Sequence, residues 1–238
     1  MTQETEVLEP EELEALLAQI NTRAPTGARN YALLQLMSQT GIRCGEALQV
    51  TVGDIRQETW AGQEGAVRVW VLRLPRKATK GQRPRQGIPL ASATRQALDS
   101  WREKRAALGI RGGPLFCTIS QGVRAHPKAT GEGFRPPLPP GREMEATRLR
   151  PGRALNDRYV RELVARLAEK AGIERRVHPH MLRHTALTAL YDRTQNLRLV
   201  QQVAGHASSR MTERYTHVHP LALAEAMGAL EGEQGRRD

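Results

Sequence analysis

The 238-residue chain has few cysteines and no long apolar run, and each shortage excludes a class of protein. Cys44 and Cys117 are too few for a disulfide framework, and no C-x-x-C pair is present, which favours a reducing compartment. No segment approaches the roughly 18 consecutive apolar residues that indicate a membrane helix. The acidic N-terminal segment MTQETEVLEPEELEALL lacks the apolar stretch of a signal peptide. We therefore expect a cytoplasmic protein.

Acidic and aromatic residues are also scarce. There are 36 Lys and Arg residues against 25 Asp and Glu residues, which gives a formal net charge of +11. This excess predicts a polyanionic partner, although a compositional bias toward arginine would produce the same number. Aromatic residues make up only 4% of the chain. Proteins that bind single strands by base stacking present more rings, so the composition favours a duplex bound through its phosphates.

The spacing of apolar residues predicts a mostly α-helical α+β fold. Helical spacing occurs in LEPEELEALLAQI, RNYALLQLM, SATRQALDSWREKRAAL and LNDRYVRELVARLAEKAGI, and a short helix is expected after TGIR. Pro10 is predicted to lie near a helix start, Ser92 and either Asn156 or Asp157 are predicted to be N-cap residues, and Gly172 is predicted to end a helix. The segment TRAPTGA is expected to separate the first two helices.

A small antiparallel sheet or hairpin is predicted near residues 63–90. AVRVWVLRL has the alternation of a strand, and IPL is expected to pair back with it after the basic turn PRKATKGQRPRQG. A Gly- and Pro-rich tract at residues 120–152 is predicted to be a flexible loop, and residues 231–238 a frayed tail. We expect a core of about residues 8–220 in a single domain that covers residues 1–238.

Basic side chains and one tyrosine supply what is needed to cleave a phosphodiester. Attack at phosphorus creates a five-coordinate centre with extra negative charge, which planar and permanently charged arginines stabilise well. A nucleophile, a base and an acid complete the set, and no metal is required if arginines carry the charge. Candidates occur in four segments: TGIRCGEAL with Arg43 and Glu46, PRKATKGQR with Lys77 and Lys80, HPHMLRH with His180 and Arg183, and AGHASSRMTERYTH with His206 and Tyr215.

In this order, the four segments resemble the catalytic domain of the tyrosine recombinases, the phage integrase family. HMLRHT…AGH…RYTHV is the most specific part of the resemblance, which covers about residues 8–220. The resemblance implies a site-specific recombinase that cleaves and rejoins duplex DNA through a 3′-phosphotyrosyl intermediate, without metal, ATP or another cofactor. It also implies a nucleoid-associated protein that forms a dimer on each site and a tetramer in the synapse through its C-terminal segment.

The resemblance further implies a role for each central residue. Arg43 and Arg183 would hold the oxygens of the phosphate that Tyr215 attacks. His180 would accept or relay the tyrosine proton, and His206 would donate a hydrogen bond to the phosphate.

The basic turn and an acidic residue supply the remaining roles. A lysine in a K-G turn would protonate the leaving 5′ oxygen. Lys80, which precedes Gly81, fits this pattern better than Lys77. Glu46, three residues after Arg43, would support the arginine and histidine network. Three further basic residues are predicted to bind DNA: Arg76, Arg83 and Arg85.

Other interpretations stay open at the level of sequence. The fold could serve DNA binding or regulation without catalysis, or it could belong to a tyrosine-type topoisomerase that only reseals the strand. His180 and His184 could bind zinc from one helix face, but no H-E-x-x-H and no evident third ligand accompany them. Most family members carry an additional N-terminal helical domain, whereas the resemblance here begins near residue 8, so we expect a catalytic domain without it.

Overall fold

The computed structural model describes residues 7–62, 65–74, 85–119 and 152–205. Three strands in these ranges form one antiparallel sheet in the order β1-β2-β3, and the other regular elements are helices. The mostly helical α+β fold that the sequence predicts is confirmed. The strands are β1 (Ile55–Gly62), β2 (Gly65–Leu74) and β3 (Arg85–Pro89). The helices are α1 (Pro10–Ala18), α2 (Pro25–Thr40), α3 (Cys44–Ala47), α4 (Ser92–Ala107), α5 (Asp157–Lys170), α6 (Pro179–Thr194) and α7 (Leu197–Ala204).

Helix α2 is the central element of the core. It packs mainly against α4 and α6 and also contacts α1 and α3. Its side chains Leu33, Leu34, Leu36 and Met37 are fully buried, which is possible only because neighbours cover more than one face of the helix. Gly41 ends α2 in the left-handed conformation, with φ of 61°, and turns the chain directly into the segment that carries the first candidate arginine.

The sheet joins the core at one end only. Strand β2 pairs with β1 from Leu72 opposite Ile55 back to Gly65 opposite Gly62, and with β3 through Leu72 and Ile88. Leu72 is fully buried, whereas the start of β2 is exposed. The buried apolar residues near the end of β2 therefore anchor the sheet in the core, and the start of β2 lies on the surface.

Three details of the predicted elements are wrong. The sheet begins at Ile55, before the predicted range, because β1 is largely exposed and its sequence IRQETWAG carries little apolar alternation. Helix α2 begins at Pro25, within the predicted break, since proline at the first helical position sacrifices no intrahelical hydrogen bond. Ala91 is the N-cap residue of α4 and Ser92 is its first helical residue, without a side-chain cap.

The boundaries of α5 agree better with the sequence. Asn156 is the N-cap residue, and its side-chain oxygen accepts a hydrogen bond from the backbone N–H of Tyr159 at 2.7 Å. Gly172, with φ of 74°, follows the last turn of the helix. The predicted loop lies outside the described residues except for Gly152, and the predicted tail lies entirely outside them. Among the described helices, none has the length and apolar character to cross a membrane.

Candidate active site

Arg183 is buried within α6 and joins segments that are far apart in sequence. Its side chain is only 2% exposed. Its Nη1 donates a hydrogen bond to the carbonyl oxygen of Gly41, and its Nη2 donates one to that of Ala204 at 2.9 Å. Gly41 lies two residues before Arg43, and Ala204 lies two residues before His206. A single guanidinium therefore fixes the end of α2 and the end of α7 relative to α6.

Arg43 is the N-cap residue of α3 and is held by Glu46 in the first turn. The Glu46 carboxylate accepts a hydrogen bond from the backbone N–H of Arg43 at 2.8 Å and one from its Nη1 at 3.1 Å. The Glu46 side chain is 3% exposed, whereas that of Arg43 is 25% exposed. Because a guanidinium has five N–H donors, this ion pair orients Arg43 and leaves donors for a ligand.

Three histidines lie together at the start of α6. His178 is the N-cap residue, and its ring is stacked with that of His180 at a centroid distance of 6.5 Å. The rings of His180 and His184 meet edge to face at 4.4 Å. His180 is exposed, so its imidazole is accessible to a ligand. Among the described residues, no group of three or more His, Cys, Asp or Glu side chains is arranged to hold a metal ion.

Arg43, His180 and Arg183 line one cleft of about 530 Å³. The segments that supply these three side chains are separated by most of the chain, and the packing of α2 against α6 brings them together. Three predicted site residues therefore surround a common space. Asp157, Arg161 and Arg176 also line it, although they lie outside the four segments singled out in the sequence. The remaining lining residues are Cys44, Gly45, His178 and Pro179.

The cleft is cationic and its thiol is unreactive. Four arginines and a single aspartate contribute the charged side chains of the lining. Burial, together with hydrogen bonding to Asp157 and the negative charge of Asp157, raises the pKa of Cys44 to about 12 against the opposing charge of Arg161. Cys44 is therefore a neutral thiol at physiological pH rather than a nucleophile. An anion with several oxygens is the ligand that this lining fits best.

Most of the remaining predicted residues lie outside the part of the chain that the structure describes. Lys77, Lys80, Arg76 and Arg83 of the basic turn, and His206 and Tyr215 near the C-terminus, lie outside the described residues. Arg85 is the first residue of β3.

Three residues of the cleft lining lie outside the four segments that resemble the family. Asp157 and Arg161 are four residues apart on α5, and Arg176 lies in the connection to α6. Helical spacing places the first two on one face of the helix. Arg158 and Glu162 have the same spacing on the same helix, so the spacing alone does not identify the pair that lines the cleft.

The family follows from comparison with known sequences. The profile of the phage integrase family matches residues 6–221. The chain belongs to the phage integrase family. A tyrosine recombinase of Synechococcus elongatus is 33% identical over 87% of this chain and 52% of its own length. A tyrosine recombinase XerC of Corynebacterium efficiens is 30% identical over 83% of this chain and 49% of its own. The chain thus spans about half the length of these curated family members.

Solved structures of recombinases have the same fold. One is a XerH site-specific recombinase bound to a palindromic difH substrate in a post-cleavage complex. Its TM-score with this chain is 0.67 at 27% identity, over 96% of this chain and 54% of that one. A XerA recombinase gives a TM-score of 0.65 at 22% identity, over 100% of this chain and 66% of that one. The second likeness concerns the fold alone.

Proposed function

We propose that this chain is the catalytic part of a site-specific DNA recombinase. It cleaves and rejoins duplex DNA through a 3′-phosphotyrosyl intermediate. The observation that carries the proposal is the shared cleft of Arg43, His180 and Arg183. Membership of the phage integrase family supports it, as does the likeness to a recombinase that was solved on its DNA substrate.

The two arginines supply charge stabilisation at the scissile phosphate. Arg43 is oriented by Glu46, and Arg183 is fixed by two backbone carbonyls, so both guanidinium groups are in position before DNA binds. N–H groups held in advance stabilise the extra negative charge of five-coordinate phosphorus without reorganisation. Removal of one such donor typically costs about 10²–10³-fold in rate.

The covalent step exchanges one phosphate ester for another. The phenol oxygen of Tyr215 bonds to phosphorus while the bond from phosphorus to the 5′ oxygen breaks. His180 accepts or relays the phenol proton, and Lys80 gives a proton to the leaving 5′ oxygen, with Lys77 as the second candidate. His206 donates a hydrogen bond to the phosphate. Attack by the 5′ hydroxyl of another strand reverses the step and joins the strands, so neither ATP nor a metal is consumed.

The rest of the chain serves DNA binding and assembly. Arg76, Arg83 and Arg85 contact the DNA backbone, and the net charge of +11 favours association with the duplex. The segment that follows Tyr215 docks on an adjacent protomer, which gives a dimer on each site and a tetramer in the synapse. Residues 1–238 form one catalytic domain that acts on DNA in the cytoplasm, at the nucleoid.

The proposal is tested with a pool of nicked duplexes of random sequence. On a nicked substrate the released 5′ end diffuses away, so cleavage leaves a covalent protein–DNA adduct whose attached sequence identifies the target. Linear duplexes that carry this sequence should then yield recombinants, and EDTA should leave the yield unchanged because arginines supply the charge. Relaxation of supercoiled plasmid without recombinants would instead indicate a topoisomerase. Inhibition by EDTA would contradict a metal-independent reaction.

A further inference from the structure

We propose that Arg161 and Arg176 form a second phosphate-binding element of the cleft, which binds the DNA phosphate next to the scissile one. This inference rests on the proposed function. It assigns a binding role to two side chains outside the motifs that carry the family resemblance.

The first support is the position of both side chains. Arg161 on α5 and Arg176 before α6 line the same cleft as Arg43 and Arg183, and both are exposed to solvent. Two guanidinium groups are enough to bind the two non-bridging oxygens of one phosphodiester. The cleft therefore contains twice the number of arginines that the scissile phosphate requires.

The second support is the match between the cleft and a DNA strand. Phosphates follow one another along each strand at about 3.4 Å of helix axis per nucleotide, so a strand that places one phosphate between Arg43 and Arg183 brings its neighbour nearby. A cleft of about 530 Å³ is larger than one phosphate group needs. The two additional arginines supply the positive charge that a second phosphate in this space requires.

Asp157 explains how Arg161 is positioned when DNA is absent. Its carboxylate pairs with Arg161 Nε at 3.0 Å, and both side chains are more than half exposed. An exposed pair of this kind contributes little to stability, so a phosphate can replace the carboxylate at small cost. The negative charge of Asp157 also acts on the thiol of Cys44, the residue that follows Arg43. Asp157 therefore lies close to Arg161 and to the segment of Arg43, and all of them line the same cleft.

Helix α5 itself provides a matched control. Arg158 pairs with Glu162 at 2.7 Å, four residues apart, as Arg161 pairs with Asp157. Arg158 is 82% exposed and does not line the cleft. Replacement of either arginine removes the same charge from the same helix, so only the location differs.

The first measurement is the salt dependence of binding to the nicked target duplex. The double variant Arg161→Gln/Arg176→Gln should reduce the slope of log K against log salt concentration by about 0.9, the contribution of one phosphate contact. Arg158→Gln should leave the slope unchanged. An unchanged slope in the double variant, with wild-type thermal stability, would overturn the proposal.

The second measurement identifies the phosphate. A neutral methylphosphonate is placed at each neighbour of the scissile phosphate in turn, and adduct formation is compared between proteins. At one of the two neighbouring positions, the methylphosphonate should reduce adduct formation about tenfold for the wild-type protein and for Arg158→Gln. This is the effect of losing a charge-assisted hydrogen bond. The double variant should show no further loss there. If the methylphosphonate reduced adduct formation equally for all three proteins at both neighbouring phosphates, the inference would be refuted. The adduct itself would still support the proposed recombinase. Absence of any adduct with the wild-type protein would refute both.

Discussion

At the scale of single residues, Arg183 combines a structural task with a position in the cleft. Its guanidinium donates to the carbonyl oxygens of Gly41 and Ala204 and also lines the cleft. A planar fork with five N–H donors can do both at once. Lysine has a compact ammonium group on a flexible stem and cannot reproduce this fork.

Arg183→Lys should therefore lose both stability and activity. At least one buried carbonyl loses its partner, which should lower the free energy of unfolding by about 1–3 kcal/mol. Covalent adduct formation should fall by about 10²-fold or more. Urea denaturation and single-turnover cleavage measure the two effects. Arg193→Lys, an exposed position in the last turn of α6, is the control. Wild-type stability of Arg183→Lys would contradict the bridging role.

Gly41→Ala should destabilise the protein at the same junction. The φ of 61° disfavours any side chain, and a Cβ would lie 3.1 Å from Leu187 Cδ2. We expect a loss of about 1–2 kcal/mol in the free energy of unfolding. Gly45→Ala is the control, because no atom lies within 4 Å of its Cβ position and alanine favours a helix. Equal unfolding midpoints for the two variants would show that the turn at Gly41 is not strained by alanine.

Cys44 should resist alkylation at ordinary pH. With a thiol pKa near 12, almost no thiolate is present at pH 8, and the rate of reaction with iodoacetamide should rise only in strongly alkaline solution. Asp157→Asn should accelerate the reaction, because it removes the negative charge that contributes to raising this pKa. Peptide mapping by mass spectrometry measures the rates. Rapid modification of the native wild-type protein at pH 8 would contradict the burial of this thiol.

At the scale of elements, a buried polar network fixes α5 against α2. Arg29 is 3% exposed and has neutral partners: its Nη2 donates to the hydroxyl of Tyr159 at 2.7 Å, and its Nη1 donates to the carbonyl of Cys117 at 2.8 Å. Asn30 accepts from Arg29 and also contacts the Tyr159 hydroxyl. Burial lowers the pKa of Arg29, and its interactions with Tyr159 and Cys117 oppose this effect and so stabilise the buried charge.

Tyr159→Phe should destabilise α5. The variant removes a hydrogen bond to a buried charge, and such bonds contribute about 1.5–3 kcal/mol. Tyr31→Phe is the control: this tyrosine lies on α2, and its hydroxyl makes no hydrogen bond to the described residues. Chemical denaturation compares the two variants. If both lose the same stability, the hydroxyl of Tyr159 does not hold the network together.

The elements also show what the sequence could predict. Strand β2 alternates between apolar and polar residues and was predictable, whereas β1 is largely exposed and has little pattern to detect. Arg43, His180 and Arg183 were predictable because they lie in motifs of the family. Arg161 was not, because its ion pair has the same i,i+4 spacing as the Arg158 pair on the same helix. Only the packing of α5 determines which pair faces the cleft.

At the scale of the whole molecule, the excess positive charge and the cleft act together. The net charge of +11 favours binding of any duplex, whereas in the proposed reaction the arginines of the cleft bind individual phosphates. Arg43 and Arg183 are far apart in sequence. Their relative position, and with it the geometry of the proposed phosphate site, depends on the correct packing of α2 against α6. In the proposed reaction the nucleophile is Tyr215, which lies outside the described residues.

The most direct test is the identity of the residue that becomes attached to DNA. Adducts formed on the nicked target duplex are digested with protease and nuclease, and the modified peptide is sequenced by mass spectrometry. The nucleotide should be attached to Tyr215, and Tyr215→Phe should bind the same duplex with similar affinity but form no adduct. Attachment to another residue, or an adduct with Tyr215→Phe, would contradict attack by this phenol on a phosphate held by Arg43 and Arg183.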